Sequence, residues 1–535
     1  MAYTVSAKPG ASLWALVVLL SFPLAEAQTP EKAWTETTAE GQKAYQKGDF
    51  VQAEKYFLEA VHRAEQFGPE DPRLATSLNT LADLYRAQSK YAEAEPLFKR
   101  SLAIMEKALG PNHPSVAATL SNLASIYQDQ NRLAEAEPLL ERTVAIWEKV
   151  LGPENPVLAQ ALVTLAELNR TQGKNAEAEP LFRRSLAIME KVLGPEHPNV
   201  AATLNSLGAL YSVQGQMSEA EPLLKRSLEI YEKALGPTHF KVAVALNDLG
   251  AFYHREGRYG EAEPLLKRAL GISERALGPE HPVVLRVLND LASLYHDQDK
   301  FKEAEPLLER SVAVAEKSLL PNDPELATRF LDLADVYQDQ GKYEKAEPLF
   351  QRALAVRIQA FGADHPNVAV VLTRQGKLRL RQGRLPEAEA FLKHSLELWE
   401  RAYGSNSPNV AAALADLAEA HRRQGNVEEA RHLLDRALVI WQAAAGPESA
   451  SVAAALDDLA AFHQQQGTFD IAEPLFALAL ELWIRVLGSN HPQVGREMEG
   501  YARLLRQMGR DADADDWEVR ARAIRERQEN STPPQ

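Results

Sequence analysis

A single 42-residue period constrains the fold of this chain more than any other feature. Residues 72–533 divide into eleven blocks of 42 residues that align without a gap. Within one block, residues 114–155, apolar residues recur at three- and four-residue spacing through two stretches, roughly 114–129 and 133–151. This spacing predicts two helices per block. Helix pairs of this kind stack on their neighbours, which favours one elongated domain over the three or four domains that 535 residues would otherwise suggest.

Glycine and proline mark the predicted helix ends at fixed positions. The position after the first helix is glycine in eight blocks and Ser89, Asn131 or Asp299 in the others, as expected of a left-handed C-terminal cap. Most first helices begin at a proline, so the residue before it is predicted to be the N-cap. Six residues in this helix-start column are histidines: His113, His197, His239, His281, His365 and His491.

Small residues mark the predicted crossing of the two helices in every block. One column of the alignment is alanine throughout, from Ala94 to Ala514, and a second contains only alanine or glycine, including Gly208, Gly250 and Gly376. Small side chains allow two helix backbones to approach closely, and a larger side chain there would overpack the contact at a cost of about 1–3 kcal/mol. Large apolar columns beside them predict one continuous core.

These columns identify a known repeat. The spacing of the tetratricopeptide repeat is matched by Leu120, Leu123, Ala124, Tyr127, Ala136 and Leu140. The 42-residue unit, with its EAEPLL and LGPxHP segments, resembles the repeat of kinesin light chains, although residues 28–71 lack the heptad coiled coil that precedes those repeats. The resemblance implies an all-α, right-handed solenoid of about twelve helix-turn-helix repeats. It also implies that the first helices line a groove that holds partner peptides.

The repeat alignment gives the domain boundaries. Residues 28–71 are interpreted as a linker plus a degenerate first repeat, residues 72–491 as ten 42-residue repeats, residues 492–528 as a C-terminal capping repeat and residues 529–535 as a disordered tail. Glu518 replaces the core leucine or phenylalanine in the last repeat, as expected of a cap with a polar outer face.

Residues 1–27 are interpreted as a signal peptide. Residues 11–22 are apolar, Lys8 precedes them, and Ala25-Glu26-Ala27 forms a cleavage pattern before Gln28. Twelve apolar residues are too few to span a bilayer, which needs about 20. We therefore expect cleavage between Ala27 and Gln28 and a periplasmic or extracellular protein with no membrane span in the mature chain. The alternative is a leader retained as an anchor.

Composition and motifs argue against several functions. The chain has 59 basic and 74 acidic residues and no cysteine, which argues against a nucleic-acid partner and excludes cysteine chemistry. The histidine column is spaced at helix-packing distances, about 8–10 Å, whereas metal ligands lie about 2 Å from one ion. No catalytic motif is present. We expect no enzyme activity, no cofactor and no metal site.

The candidate binding surface is the predicted groove side of the first helices. Two adjacent columns are rich in Asn and Asp, whose side chains suit peptide contacts; the alternative is a solvated helix face. The candidates are Asn79, Asn122, Asn205, Asn247, Asp248, Asn289, Asp290, Asp332 and Asp416. We expect a partner with basic residues opposite residues 248–332.

A basic segment interrupts these acidic columns. Arg374, Lys377 and Arg381 lie on one predicted face, near Arg422 of the next repeat. They either clamp an acidic feature of a ligand or pair internally with Asp332 and Asp416, and exposed pairs of this kind stabilise by only about 0–1 kcal/mol.

An aromatic column lies near the end of the second helices: Trp147, Tyr231, Trp399, Trp441 and Trp483. It either fills gaps between repeats or forms a strip for docking. The sequence therefore predicts a non-enzymatic scaffold that binds a peptide or protein in the groove. The alternative function is a structural element that self-associates through the solenoid ends or the aromatic column.

Overall fold

The computed structural model describes residues 29–130, 132–445 and 449–530. The predicted signal peptide, its cleavage site, Asn131 and the last five residues of the predicted tail lie outside this part of the chain. The described residues form helices and contain no strand.

Helices are numbered here α1 to α24 in chain order. They are α1 Pro30–Gln46, α2 Phe50–Glu65, α3 Pro72–Ala87, α4 Tyr91–Leu109, α5 Pro114–Asp129, α6 Leu133–Leu151, α7 Pro156–Thr171, α8 Asn175–Leu193, α9 Pro198–Val213, α10 Met217–Leu235, α11 Phe240–Arg255, α12 Tyr259–Leu277, α13 Pro282–Asp297, α14 Phe301–Ser318, α15 Pro324–Asp339, α16 Tyr343–Phe361, α17 Pro366–Arg381, α18 Leu385–Tyr403, α19 Pro408–Gln424, α20 Val427–Ala445, α21 Ala450–Gln465, α22 Phe469–Leu487, α23 Pro492–Gln507 and α24 Asp511–Asn530. Odd-numbered helices are the first helices of twelve repeats, and even-numbered helices are the second. The predicted all-α solenoid of about twelve helix pairs is confirmed.

The described residues divide into two units, with the boundary between Ile230 and Tyr231 inside α10. We call them the N-terminal part and the C-terminal part. Each repeat packs mainly on its neighbours, so no single core has to span all the repeats.

The helix ends follow the predicted capping. The Nδ1 atoms of all six histidines in the cap column accept a hydrogen bond from the backbone N–H two residues later, at 3.1–3.2 Å. Each ring therefore satisfies one of the N–H groups left open at a helix start. Ser89 and Asp299 adopt the left-handed conformation expected of their column, with φ of 59° and 57°.

The small-residue columns are the contact between the two helices of each repeat. Every alanine from Ala94 to Ala514 in the invariant column is completely buried. A Cβ atom added to Gly376 would lie 2.7 Å from Cγ of Leu392, and one added to Gly208 would lie 2.8 Å from Cγ of Leu224. Both distances are shorter than real side chains tolerate, so glycine is required where these helices cross closest.

The last repeat ends the core with a polar surface. Glu518 accepts hydrogen bonds from the guanidinium of Arg506 at 2.9–3.0 Å instead of packing inward, and Val519 beside it is exposed. Helix α24 continues to Asn530, two residues into the segment predicted as a tail.

Candidate functional site

The first candidate in the N-terminal part, Asn79, is buried. Only 3% of its surface is exposed, and its Nδ2 donates to Oγ1 of Thr119 on α5 at 2.9 Å. The expectation that Asn79 lines an open groove is wrong, because the position after the core leucine faces the following repeat. Asn122 and Asn205 are half-buried on α5 and α9.

The same column is also turned inward in the C-terminal part. Asn247 is 1% exposed, and its Nδ2 donates to Oδ2 of Asp290 on α13 at 2.6 Å. The amide of Asn289 lies 2.7 Å from Oγ of Ser311 on α14. The expectation that Asn247 lies in an open groove is therefore also wrong. These amides hold adjacent helices together.

Carboxylates of the next column and its neighbours form what we call the acidic face. Its members, on α11, α13 and α15, are Asp248, Asp290, Asp332, Asp335 and Asp339. Burial raises the pKa values of Asp290, Asp332 and Asp335, the last to about 6. A raised carboxyl pKa means that the ionised form lacks enough solvent or positive charge around it.

The cations of the predicted basic segment form ion pairs with carboxylates of the acidic face and of the next repeat. Arg374 forms an ion pair with Asp335, the Nζ of Lys377 lies 2.9 Å from Oδ1 of Asp416, and Arg381 lies 3.0 Å from Oδ1 of Asp339. The structure thus shows internal pairing, with Asp335 in place of the expected Asp332. Arg422 lies 2.6 Å from a carboxylate oxygen of Glu419 in its own helix.

Two histidines contact carboxylates at the edge of the acidic face. The Nε2 of His254 lies 2.8 Å from Oδ2 of Asp297, and the Nε2 of His296 lies 2.8 Å from Oδ2 of Asp339. Hydrogen bonds to Asp297 and Asp339 raise the pKa of His296 to about 9. His296 is therefore protonated at neutral pH, and it offsets part of the charge of the carboxylates near it.

The C-terminal acidic cluster is a second group of carboxylates, on α19, α21 and α23. Its members are Asp416, Asp457, Asp458 and Glu497. Lys377 is the cation paired with it among the described residues, through Asp416. Three of its four carboxylates therefore form no ion pair within 4.0 Å among the described residues. Burial raises the pKa values of Asp457, Asp458 and Glu497, and the charge of neighbouring carboxylates adds to the rise at Asp457 and Asp458.

Comparison with known proteins gives the family of this helical array. The tetratricopeptide-repeat model matches nine overlapping stretches, residues 41–107, 80–149, 115–191, 157–233, 241–317, 325–397, 373–443, 412–462 and 451–527. The chain belongs to the tetratricopeptide-repeat family. A search of curated proteins found no match.

Solved structures similar to this tetratricopeptide-repeat chain include a kinesin light chain protein. The nearly identical repeats of a kinesin light chain protein from Podospora anserina are 26% identical, with a TM-score of 0.34, over 37% of this chain and 94% of that chain. BtubC from P. vanneervenii is 25% identical, with a TM-score of 0.35, over 46% and 91% of the two chains. Yeast Tom70 is 16% identical, with a TM-score of 0.40, over 94% and 97%.

Among the described residues, no cluster of three or more His, Cys, Asp or Glu side chains is arranged to hold a metal ion. None of the described helices combines the length and apolarity needed to cross a membrane.

The aromatic column packs between tetratricopeptide repeats. Tyr231 and Trp441 are 5% and 7% exposed. Trp147 packs against the core of the N-terminal part, and Trp399 and Trp483 pack against the core around Trp441. The structure therefore favours the gap-filling interpretation of this column over a docking strip.

The candidate site also includes Asp335, Asp339 and Glu497, which the repeat columns did not predict. Asp335 and Asp339 lie one and two helical turns beyond the columns considered, on the same face. Glu497 occupies a column that contains small or apolar residues in most repeats and Arg329 in one. A carboxylate in a column of mostly small or apolar residues was a signal available from the sequence.

Asp83 on α3 provides a test of these carboxyl environments in the N-terminal part. Burial raises its pKa from 3.8 to about 7. Because folding raises the pKa of this acid, its contribution to stability is fully present below about pH 4 and is lost as the pH rises through about 7. Asp83→Asn should therefore increase the free energy of unfolding by about 1–2 kcal/mol at pH 8, allowing for partial exposure, and by almost nothing at pH 4.

Urea unfolding at the two pH values measures this difference. The control is Glu141→Gln on the exposed side of α6, which should change stability by less than about 0.5 kcal/mol at either pH. Equal effects of Asp83→Asn at pH 4 and pH 8 would show that the carboxyl is not held in an unfavourable environment.

Proposed function

We propose that this protein is a non-enzymatic scaffold that binds a basic segment of a protein partner on the first helices of its C-terminal part. The observation that carries the proposal is the set of four carboxylates Asp290, Asp457, Asp458 and Glu497. No Lys or Arg side chain of the described residues forms an ion pair with them within 4.0 Å, and burial raises the pKa of each.

A cationic side chain of the partner would stabilise the ionised forms of these carboxylates. A Lys or Arg placed beside a buried carboxylate favours its ionised form and returns the pKa towards its usual value. The gain on binding is therefore larger than that of an ion pair between already well-solvated groups. The partner predicted here is basic along both the acidic face and the C-terminal acidic cluster.

The expected acidic feature opposite Arg374 and Lys377 is not part of this proposal. Both cations already have carboxylate partners, Asp335 and Asp416. A ligand carboxylate would have to displace those partners and leave them unpaired, which costs about 1–3 kcal/mol for each buried group.

Self-association is not favoured by the aromatic column, because Tyr231 and Trp441 are buried between repeats. We propose that the protein acts as a monomer towards its partner, with self-association through the solenoid ends as the alternative, and light scattering over a range of concentrations separates the two. We also propose export to the periplasm or the cell exterior. That proposal is supported by the sequence of residues 1–27, and N-terminal sequencing of the mature protein tests it.

Site-specific photo-crosslinking in the cells that make this protein tests the partner proposal. A benzophenone side chain replaces Ala412, an exposed position on α19 in the column of Arg286, whose guanidinium contacts Asp248. The control position is Val439 on α20 of the same repeat, which is 65% exposed on the second helix. We expect crosslinks from position 412, and not from position 439, to a protein segment rich in Lys and Arg. Crosslinks only from position 439, or to an acidic segment, would contradict the proposal.

A further inference from the structure

The turn after α11 differs from the equivalent turns of the other repeats. Gly257 has the left-handed conformation of its column, with φ of 69°, as Gly215 has at 75° and Gly341 at 73°. The other glycines of this column are exposed, whereas Gly257 is buried. A Cβ atom added to Gly257 would lie 2.3 Å from Cδ of Pro492, and one added to Gly215 or Gly341 would meet no atom within 4 Å. Pro492 begins α23 in the last repeat, so this turn packs against a distant part of the chain.

Polar groups join the same two places. The Nε2–H of His491, the N-cap of α23, donates to the backbone carbonyl oxygen of Arg255 at the end of α11, at 3.3 Å. Its Nδ1 accepts the capping hydrogen bond from the N–H of Gln493 at 3.1 Å. Burial lowers the pKa of His491, so the ring is neutral at pH 7 and one tautomer makes both bonds. The phenol of Tyr259, at the start of α12, interacts with the guanidinium of Arg496 on α23.

The start of α12 is also covered in this repeat and open in its neighbours. Gly260 is buried on α12, whereas Ser218 and Lys302, in the same column of the adjacent repeats, are exposed. Helix α12 contacts α24 of the last repeat as well. We call this set of interactions the closing contact; it is formed by Arg255, Gly257 and Tyr259 on one side and by His491, Pro492 and Arg496 on the other.

The closing contact joins successive turns of the helical array within the C-terminal part. Consecutive first helices pack on each other, as α11 does on α13 and α17 does on α19, so the first helices lie on the inner side of the curve. First helices of stacked repeats run in the same direction. The end of α11 and the start of α23 therefore lie on opposite edges of the array, and they meet because the array has turned back on itself. The gap between the turns, through which a chain could reach the first helices from the side, is closed at this point.

The closing contact can separate without unfolding a repeat. Its residues lie in a turn and at the ends or exposed sides of helices, whereas the apolar columns hold each repeat to its neighbours. Contacts of this kind open at a lower free energy than the packed core does. The C-terminal part can therefore exchange between a closed and an open form while its helices stay intact.

We propose that the closing contact is a latch on the groove of the C-terminal part. While it is closed, a basic segment enters the groove by a free chain end; a segment between two folded domains of a partner enters when the latch opens. This inference rests on the proposed function. The acidic face begins on α11 with Asp248, and the C-terminal acidic cluster ends on α23 with Glu497. These are the two helices that the latch joins, so a segment bound along both groups lies inside the closed turn.

An engineered disulfide tests whether the latch closes in solution. The chain has no cysteine, so the double variant Gly257→Cys and Pro492→Cys carries a single possible pair. The two positions are close enough for a disulfide, which joins Cα atoms about 4.4–6.8 Å apart. We expect mild oxidation to form this bond, seen as a faster-running band on a non-reducing gel. The control pair, Gly341→Cys with Pro492→Cys, should stay reduced. Failure of the first pair to oxidise, or equal oxidation of both pairs, would overturn the latch.

Binding kinetics of the oxidised and reduced double variant test the role of the latch in entry. One probe is a peptide of alternating lysine and glycine with free ends, and the other is the same segment fused at both ends to a small folded domain. We expect the flanked probe to associate at least tenfold more slowly with the oxidised form, while the affinity of the free-ended peptide changes less than threefold. Equal association rates of the flanked probe would overturn the latch alone. No binding of the free-ended peptide to the reduced form would contradict the proposed function, and the latch with it.

Two single variants should open the latch. Gly257→Asn keeps a residue that tolerates the left-handed turn but places a side chain against Pro492. His491→Asn keeps an N-cap residue but loses the ring that bonds to Arg255. Both should retain the helical circular-dichroism signal and bind the flanked probe at least threefold faster than the unmodified protein. The matched controls, Gly341→Asn and His365→Asn, make the same changes in the same columns and should leave that rate unchanged. Equal acceleration in the controls, or no acceleration in either opening variant, would contradict the latch.

Discussion

Replacing Phe182 by alanine should lower the free energy of unfolding by about 3–5 kcal/mol. Phe182 lies on α8 in the large apolar column, and none of its surface is exposed. Removing the ring leaves a cavity that the neighbouring helices cannot close, because their positions are fixed by the alanine and glycine contacts on either side. Since repeat proteins unfold repeat by repeat, the loss should be concentrated in α7–α10.

Urea unfolding combined with hydrogen exchange measures both the size and the location of this loss. The control is Leu58→Ala on α2, where 47% of the leucine is exposed; it should change stability by less than about 0.5 kcal/mol. A loss below about 1 kcal/mol for Phe182→Ala would show that the apolar columns do not form a tightly packed core.

Reversing two charges on the first helices should weaken the binding of a basic peptide at least tenfold. In the double variant Asp290→Lys and Asp458→Lys, two attractive charges become repulsive, and no ion pair within 4.0 Å among the described residues is broken. The variant does remove the acceptor of the Asn247 amide at Asp290, so its helical circular-dichroism signal must match that of the unmodified protein. A tenfold change corresponds to about 1.4 kcal/mol, which four units of charge difference supply even under partial screening. The probe is a labelled peptide of alternating lysine and glycine, followed by fluorescence anisotropy in low salt.

The control for charge reversal lies on the second helices of the same region. Glu303→Lys and Glu344→Lys change the net charge by the same amount at exposed positions of α14 and α16. They should weaken binding less than threefold. If both double variants weaken binding equally, the peptide responds to the net charge of the protein and not to the carboxylates on the first helices.

The alignment columns predicted the fold well because each column places the same kind of residue in the same local environment in every repeat. The cap at His113, the left-handed turn at Ser89 and the close crossing at Gly376 are each decided by residues nearby in the chain. Eleven aligned blocks supply that local evidence eleven times over. The division at Ile230 is a property of contacts accumulated over many repeats, so no single block carries a signal for it.

The candidate site was less predictable, because its side chains are placed by contacts between repeats. Asn79 and Asn247 share the column expected to be open, yet each bonds to a residue about one repeat further along, Thr119 or Asp290. Arg374 pairs with Asp335 and not with the expected Asp332, a difference of one helical turn that depends on side-chain conformation. Gln375 and Glu497 were visible as exceptions to their columns, and both lie at the places where the structure leaves buried polar atoms or charges unsatisfied.

Hydrogen-exchange mass spectrometry with and without the lysine–glycine peptide is the most direct test of the central claim, that a basic segment binds on the first helices of the C-terminal part. We expect slower exchange on binding in α13, α15, α19, α21 and α23, with no change in the second helices α14, α16 and α20 or in α3–α9. Protection confined to the second helices or to the N-terminal part, or no protection at saturating peptide, would contradict it.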